Sequence, residues 1–172
     1  GVDVVVRRQA SCCGALAHHI NAEDAAHKQM EAVCSAWAND IASGQLDAII
    51  VNTSGCGTTL KDYGNLISRN SRHSETARKI SDLTMDISEY LNSKMALPTL
   101  AKQNMTIAYH AACSLQHGQK VLEAPSALLA QAGFEVNTPA ESHLCCGSAG
   151  VYNVWQPELS QQLKERKSRN LN

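Results

Sequence analysis

The chain of 172 residues is long enough to bury a sizeable core, as one medium domain or two small ones. Fifteen lysines and arginines against sixteen aspartates and glutamates leave a formal charge of −1, which argues against nucleic acid as a partner. At 44% hydrophobic and 18% charged it is too apolar for a disordered tail, yet no apolar run reaches the roughly 18 residues that a membrane span requires.

In chain order, Val2 to Val6 reads as a short buried strand that ends in the turn Cys12-Cys13-Gly14. The first residue is Gly and no signal peptide is visible, so further chain is expected upstream, and the protein is expected to be cytoplasmic or peripheral at the inner face of the membrane. Asn21 can cap a long helix over Ala22 to Ser43, whose apolar positions Met30, Val33, Trp37 and Ile41 recur every three or four residues until Gly44 stops it. Leu46 to Val51 is a second buried strand. It runs into the turn Asn52-Thr53-Ser54-Gly55-Cys56-Gly57, which precedes a helix from about Thr58 to Ser68. Ser74 to Met95 forms one amphipathic helix with Ile80, Leu83, Ile87 and Leu91 on a common face, and Pro98 marks a break.

Past that break, a strand at Met105 to Tyr109 ends in His110-Ala111-Ala112-Cys113, and a helix from Gln119 to Ala132 is ended by Gly133. Phe134 to Asn137 is another strand. The segment Glu141-Ser142-His143-Leu144 leads to Cys145-Cys146-Gly147, and a final helix runs from Pro157 toward Arg169. Strands alternating with helices predict an α/β fold with parallel strands in two related Rossmann-like lobes.

Seven cysteines, at 12, 13, 34, 56, 113, 145 and 146, form an odd set that points away from a closed disulfide framework and toward metal or redox chemistry. By chance about 0.2 adjacent pairs are expected in such a chain. Two Cys-Cys-Gly triplets 133 residues apart therefore indicate internal duplication. Cys56, Cys113 and both pairs fall in turns after strands, at the sheet edge where ligand sites form in open α/β folds. A helix starting just after Gly14 and another after Gly147 would aim free N–H groups at the sulfurs and favour thiolate, the form that binds metal. Glycine beside the ligands lets backbone approach a cluster's inorganic sulfurs. Adjacent cysteines suit a multinuclear cluster better than zinc, whose sites show C-x2-4-C spacing, and no C-x-x-C occurs in this chain.

The alternatives for the pairs are buried small side chains or a redox-active dithiol. Cys34 has the spacing of a helix core and is expected to pack rather than ligate. His18, His19 and His27 lie on helical pattern as surface or satisfied core residues, whereas His110, His117 and His143 flank the second-half cysteines as candidates for orienting ligands or handling protons. The run Lys164 to Arg169 reads as a solvated helix, and Tyr109 and Trp155 as core.

These motifs resemble the cysteine-rich CCG domain of iron-sulfur oxidoreductases, in which a lone cysteine is followed a few tens of residues later by Cys-Cys-Gly and then by Cys-x-x-Cys. The 31 residues between Cys113 and Cys145 fit that spacing. The stretches at 12–19, 53–57, 109–119 and 141–150 are most similar to the iron-sulfur subunits of bacterial glycolate oxidases. The resemblance implies an electron-transferring subunit that takes electrons from a partner flavoprotein oxidising glycolate to glyoxylate and passes them toward a quinone-type membrane acceptor. FAD and the carbon chemistry would then belong to the partner. It implies an iron-sulfur cluster of the [4Fe-4S] type, held by Cys12, Cys13 and Cys56 in a first repeat (residues 1–98) and by Cys113, Cys145 and Cys146 in a second (residues 99–172). Each set is one ligand short: the first repeat is expected to lack an N-terminal part and the second a C-terminal part. The family's ferredoxin-like module is also absent. Thr59 stands where the closing Cys-x-x-Cys would have its second cysteine, which weakens transfer of a noncubane cluster to this chain. Two other functions remain open on the sequence, a thiol-disulfide (heterodisulfide-type) reductase subunit using Cys145 and Cys146, and a zinc-stabilised interaction domain.

Overall fold

The computed structural model describes residues 1–148 and 150–171; Ala149, just after the second triplet, lies outside them. The architecture is the expected mixture of helices and short strands. By its contacts the chain divides into two compact units, Gly1–Ile49 with Gly55–Thr84, and Ile50–Ser54 with Met85 to the end.

In the first unit, α1 (Ala15–His19) springs directly from Gly14. Asn21 does not cap the following helix. It sits at φ +58° and closes α1, with its N–H on His18 O at 3.1 Å and the Ala22 N–H on Ala17 O at 2.9 Å, a left-handed turn that a short polar side chain tolerates. Helix α2 (Glu23–Ser43) carries Glu23 and Asp24 at its positive end and stops at Gly44, φ +66°. It buries Ala26, Met30, Val33 and Cys34 along one stripe, against α1 and α5 (Ser74–Leu83). Expected one turn later, α3 (Ser54–Lys61) already starts before Cys56, and the short α4 (Tyr63–Leu66) follows and packs on α5. Tyr63, Met30, Ile80 and Cys34 are the largest fully buried side chains, so the core lies between these helices.

Val2 to Val6 is not a strand. The segment has no ladder partner among the described residues, and Val4 and Val6 are 79% and 78% exposed. Valine supplies strand propensity but a strand exists only once another strand completes its hydrogen bonds. Beyond it Arg7 is fixed by an ion pair to Asp40 of α2.

The second unit holds most of the pair β1 (Ile49–Val51) and β2 (Thr84–Asp86). The single helix expected over Ser74 to Met95 is interrupted at β2. Thr84 turns its hydroxyl back onto Ile80 O at 2.6 Å, and Asp86 caps a new helix, α6 (Ile87–Lys94), in a reciprocal box with Glu89. Ile87 is consequently exposed rather than in line with Ile80. Strands β3 (Thr106–Ala108) and β4 (Glu135–Asn137) run parallel with Ile107 opposite Val136.

Their connection is not one helix from Gln119. The chain first makes a wide turn at Ser114–Gly118, with the Gln119 N–H on Ser114 O at 2.9 Å, and α7 (Ala124–Gln131) begins only at Pro125's turn. Gly133, φ +93°, ends α7. The short α8 (Tyr152–Trp155) packs on α9 (Pro157–Arg169), which has the expected bounds. Leu115, Val121 and Pro139 are buried here, and Gln119 Nε2 donates to Ser54 O at 2.9 Å. Among the described residues no helix is long and apolar enough to cross a membrane.

Candidate functional site

Cys12, Cys13 and Cys56 belong to the first unit. Cys12 is exposed, Cys13 is buried on the turn before α1, and Cys56 lies half-buried in the first turn of α3 rather than in a preceding loop. Burial pushes the Cys13 thiol up to about 12, a rise opposed by the Ala15 N–H at its sulfur and reinforced by a hydrogen bond with Cys56 and by the proximity of Cys12. The three sulfurs therefore act on one another across 44 residues of sequence.

Behind them sits Tyr63, fully buried, whose hydroxyl donates to the Cys13 carbonyl at 2.8 Å. Its hydroxyl is shifted upward, first by burial and then by Cys13, Cys34, Cys12 and Cys56. The sequence reading missed it, since a tyrosine at helical spacing looks like any core aromatic. Buried tyrosine does, however, need a partner for its hydroxyl. Cys34 is packed in α2 as expected, and burial, then Glu31, raise its thiol to about 11.

Cys113, Cys145 and Cys146 belong to the second unit and are all half-buried. Burial raises the Cys113 thiol, followed by its interaction and hydrogen bond with Cys145 and the nearness of Cys146, while the Cys146 N–H at its sulfur works in the opposite direction. The Gly147 N–H donates to Cys145 Sγ at 3.3 Å. No helix begins directly after Gly147, because α8 starts only at Tyr152, so backbone N–H groups of the turn itself serve the sulfurs here.

Of the flanking histidines, His110 is held below its ordinary value by burial and then by Lys167, against the carbonyls of Ser142 and Leu144, and its Nε2 is buried without a partner among the described residues. His117 Nε2 lies 3.2 Å from the His143 carbonyl, while His143 itself is exposed. The run Lys164 to Arg169 is not simply solvated. Lys167 is 6% exposed and donates to the Glu141 carbonyl at 2.8 Å, while Arg166 and Asn170 hold the Glu141 carboxylate. Trp155 is 61% exposed rather than core, and Tyr109 is half-buried.

Cys13 in the first unit and Cys113 and Cys145 in the second thus each have a backbone N–H at the sulfur. Among the described residues no group of three or more His, Cys, Asp or Glu side chains is disposed to hold a metal ion as it stands. Around one zinc the sulfurs would stand about 3.8 Å apart. The donor set suits a cluster instead, in which each thiolate meets a different iron and N–H···S bonds adjust the potential.

The cysteine-rich domain model CCG matches residues 1–61 and 107–172. The chain is 34% identical over 167 residues to the glycolate oxidase iron-sulfur subunit of Escherichia coli (strain K12), covering 97% of this chain and 41% of that protein. It is 30% identical over 173 residues to the probable glycolate oxidase iron-sulfur subunit of Bacillus subtilis (strain 168), at 97% and 37%. Lactate utilization protein A of Shouchella clausii (strain KSM-K16) is 24% identical over 173 residues, at 97% and 68%. The chain spans about two-fifths of the length of the first two relatives. With most of its length matched, in one segment around each Cys-Cys-Gly triplet, the chain belongs to the cysteine-rich CCG domain family.

Proposed function

We propose that this chain is the cluster-binding part of an iron-sulfur electron-transfer subunit in a glycolate-oxidase-like oxidoreductase. The single observation that supports this most is similar donor chemistry twice over: Cys13 interacting with Cys12 and Cys56 in one unit, with the Ala15 N–H at its sulfur, and Cys113 interacting with Cys145 and Cys146 in the other, with the Cys146 and Gly147 N–H groups at the Cys113 and Cys145 sulfurs. The likeness to two glycolate oxidase iron-sulfur subunits, at 34% and 30% identity, supplies the reaction context.

In this reading an iron-sulfur cluster of the [4Fe-4S] type, when bound, takes up and releases one electron at a time. The chain's own residues do the rest. The six cysteines supply thiolates, three to each of two sets in the sequence repeats 1–98 and 99–172, with one further ligand per set outside these six. Ala15, Cys146 and Gly147 N–H groups favour negative charge on the sulfurs. Burial of Cys13 and Tyr63 closes the inner side of the first set, while Cys12 is exposed. Electrons would arrive from a flavin-containing subunit that oxidises glycolate, holding its own FAD, and leave toward a quinone-type acceptor, with the protein in the cytoplasm or at the inner face of the membrane.

Anaerobic purification of the full-length protein tests the reading. Iron and acid-labile sulfide together with visible absorption near about 400 nm that bleaches with dithionite are expected. A folded protein that remains colourless and iron-free after reconstitution overturns it.

A further inference from the structure

The segment that presents the second cysteine pair is fastened at both ends to one helix. At its start, Glu141 adopts φ +53°, a conformation that costs a non-glycine residue unless its surroundings enforce it. Two residues of α9 and Asn170, just past its end, do so. Lys167 Nζ donates to the Glu141 carbonyl at 2.8 Å, Arg166 Nε donates to Glu141 Oε2 at 2.8 Å and its terminal nitrogen pairs with Oε1, and Asn170 Nδ2 reaches Oε2 at 2.9 Å. At the far end, Ser160 Oγ donates to the Gly147 carbonyl at 2.6 Å, and the left-handed Gly147 lies so close to Ser160 that an added Cβ would stand 2.4 Å from its carbonyl oxygen. Gln116 Nε2, from the turn that follows Cys113, adds a tie near the start of the segment at Ser142 O, 3.1 Å.

Lys167 is the telling member. An ammonium is seldom buried without a compensating partner, and this one is 6% exposed with a main-chain carbonyl as its acceptor. A surface helix needs no such residue for its own sake. We infer that Lys167 is a positioning residue: α9 clamps residues 141–147 through Lys167 at Glu141 and Ser160 at Gly147, and so sets Cys145 against Cys113 before any cluster is bound. The inference rests on the ligand set proposed above for its purpose but not for its geometry, which an iron-free protein can report.

The test uses full-length protein stripped of iron and oxidised with diamide. Diamide takes two electrons and two protons from two thiols, leaving a disulfide and the hydrazine, and peptide mapping gives the rates for Cys113–Cys145 and for Cys13–Cys56. Lys167→Met keeps the stem that packs and removes the donor. It is expected to slow Cys113–Cys145 closure at least about tenfold, as a misplacement near one ångström commonly does, while Cys13–Cys56 closure is unchanged. Arg166→Gln, altering an exposed side chain, is expected to produce a smaller slowing at the same pair only. Closure of Cys113–Cys145 within about twofold of wild type in Lys167→Met overturns the inference, and so does equal slowing of both pairs. If Lys167→Met does not fold, a Ser160→Ala protein with an unchanged Cys113–Cys145 rate also overturns it. None of these readouts depends on iron, so a colourless protein would sink the proposed function and leave this result standing.

Discussion

Gly14 and Gly147, 133 positions apart, hold the same backbone conformation, φ +84° and +86°, and each lies with its missing side chain against the carbonyl of a following helix. A Cβ at Gly14 would lie 3.0 Å from Ala26 O of α2, and one at Gly147 2.4 Å from Ser160 O of α9. The duplication read from two triplets is thus a duplication of turn geometry, with glycine required for conformation and for closeness together. Alanine at either place carries the left-handed penalty of about 1–2 kcal/mol, and Gly147→Ala must in addition move backbone. Urea melts should rank the variants wild type, Gly14→Ala, Gly147→Ala in falling stability. A Gly147→Ala protein as stable as wild type would contradict the close approach.

Tyr63 reaches the same turn from behind. Replacing it with phenylalanine leaves the Cys13 carbonyl without the hydroxyl that now donates at 2.8 Å in a buried setting. The cost of stranding such an acceptor is about 1–3 kcal/mol. Beyond the lower urea midpoint, the Tyr63→Phe protein should alkylate faster at Cys13 with iodoacetamide, because the turn that hides this thiol has lost a tether. Unchanged alkylation would show that packing alone holds the turn.

The order of elements was readable because periodicity and punctuation agree along much of the chain: α2 and α9 combine helical spacing with a glycine stop or a proline start, and β3 and β4 are short apolar runs between turns. Sequence fails where a partner decides the outcome. Val2 to Val6 has strand composition but no neighbouring strand among the described residues, and Ser74 to Met95 has helical pattern throughout yet yields at Thr84 to a side chain that bonds backward and at Asp86 to a cap. The two Cys-Cys-Gly triplets were legible through rarity. Tyr63 and Lys167 were not, since an aromatic in a helix and a lysine in a charged run carry no local sign of the carbonyls that they find 50 and 26 residues away.

The packing role of Cys34 separates it from the six proposed ligands. It is fully buried in the α2 stripe, with burial the first cause of its raised thiol. Cys34→Ala should cost stability on the order of 1 kcal/mol for the lost volume while leaving iron content per chain intact. Cys56→Ser and Cys113→Ser should each lower the iron retained after anaerobic reconstitution to roughly half, if one cluster belongs to each set. Loss of iron on Cys34→Ala, with Cys56→Ser without effect, would redraw the first set.

Glu141 gives the second unit an acid-sensitive latch. The guanidinium of Arg166, then the amide of Asn170, hold its carboxyl down at about 2, with His143 adding a smaller pull. A carboxylate whose folded value lies below its ordinary 4.5 contributes stability that is complete above about pH 4.5 and is lost as pH falls toward 2. Glu141→Gln removes that contribution at every pH but leaves the main-chain carbonyl that Lys167 uses. The urea midpoints of wild type and Glu141→Gln should therefore differ most at pH 5 and above and converge as the buffer is taken toward pH 2. Because Arg166 is largely exposed, about 0.5 M salt should shrink the gap at pH 5 as well. A gap that stays constant across this range, or that widens in acid, would mean that the ion pair does not hold Glu141 in solution and that the Lys167 contact alone fixes the start of the cysteine segment.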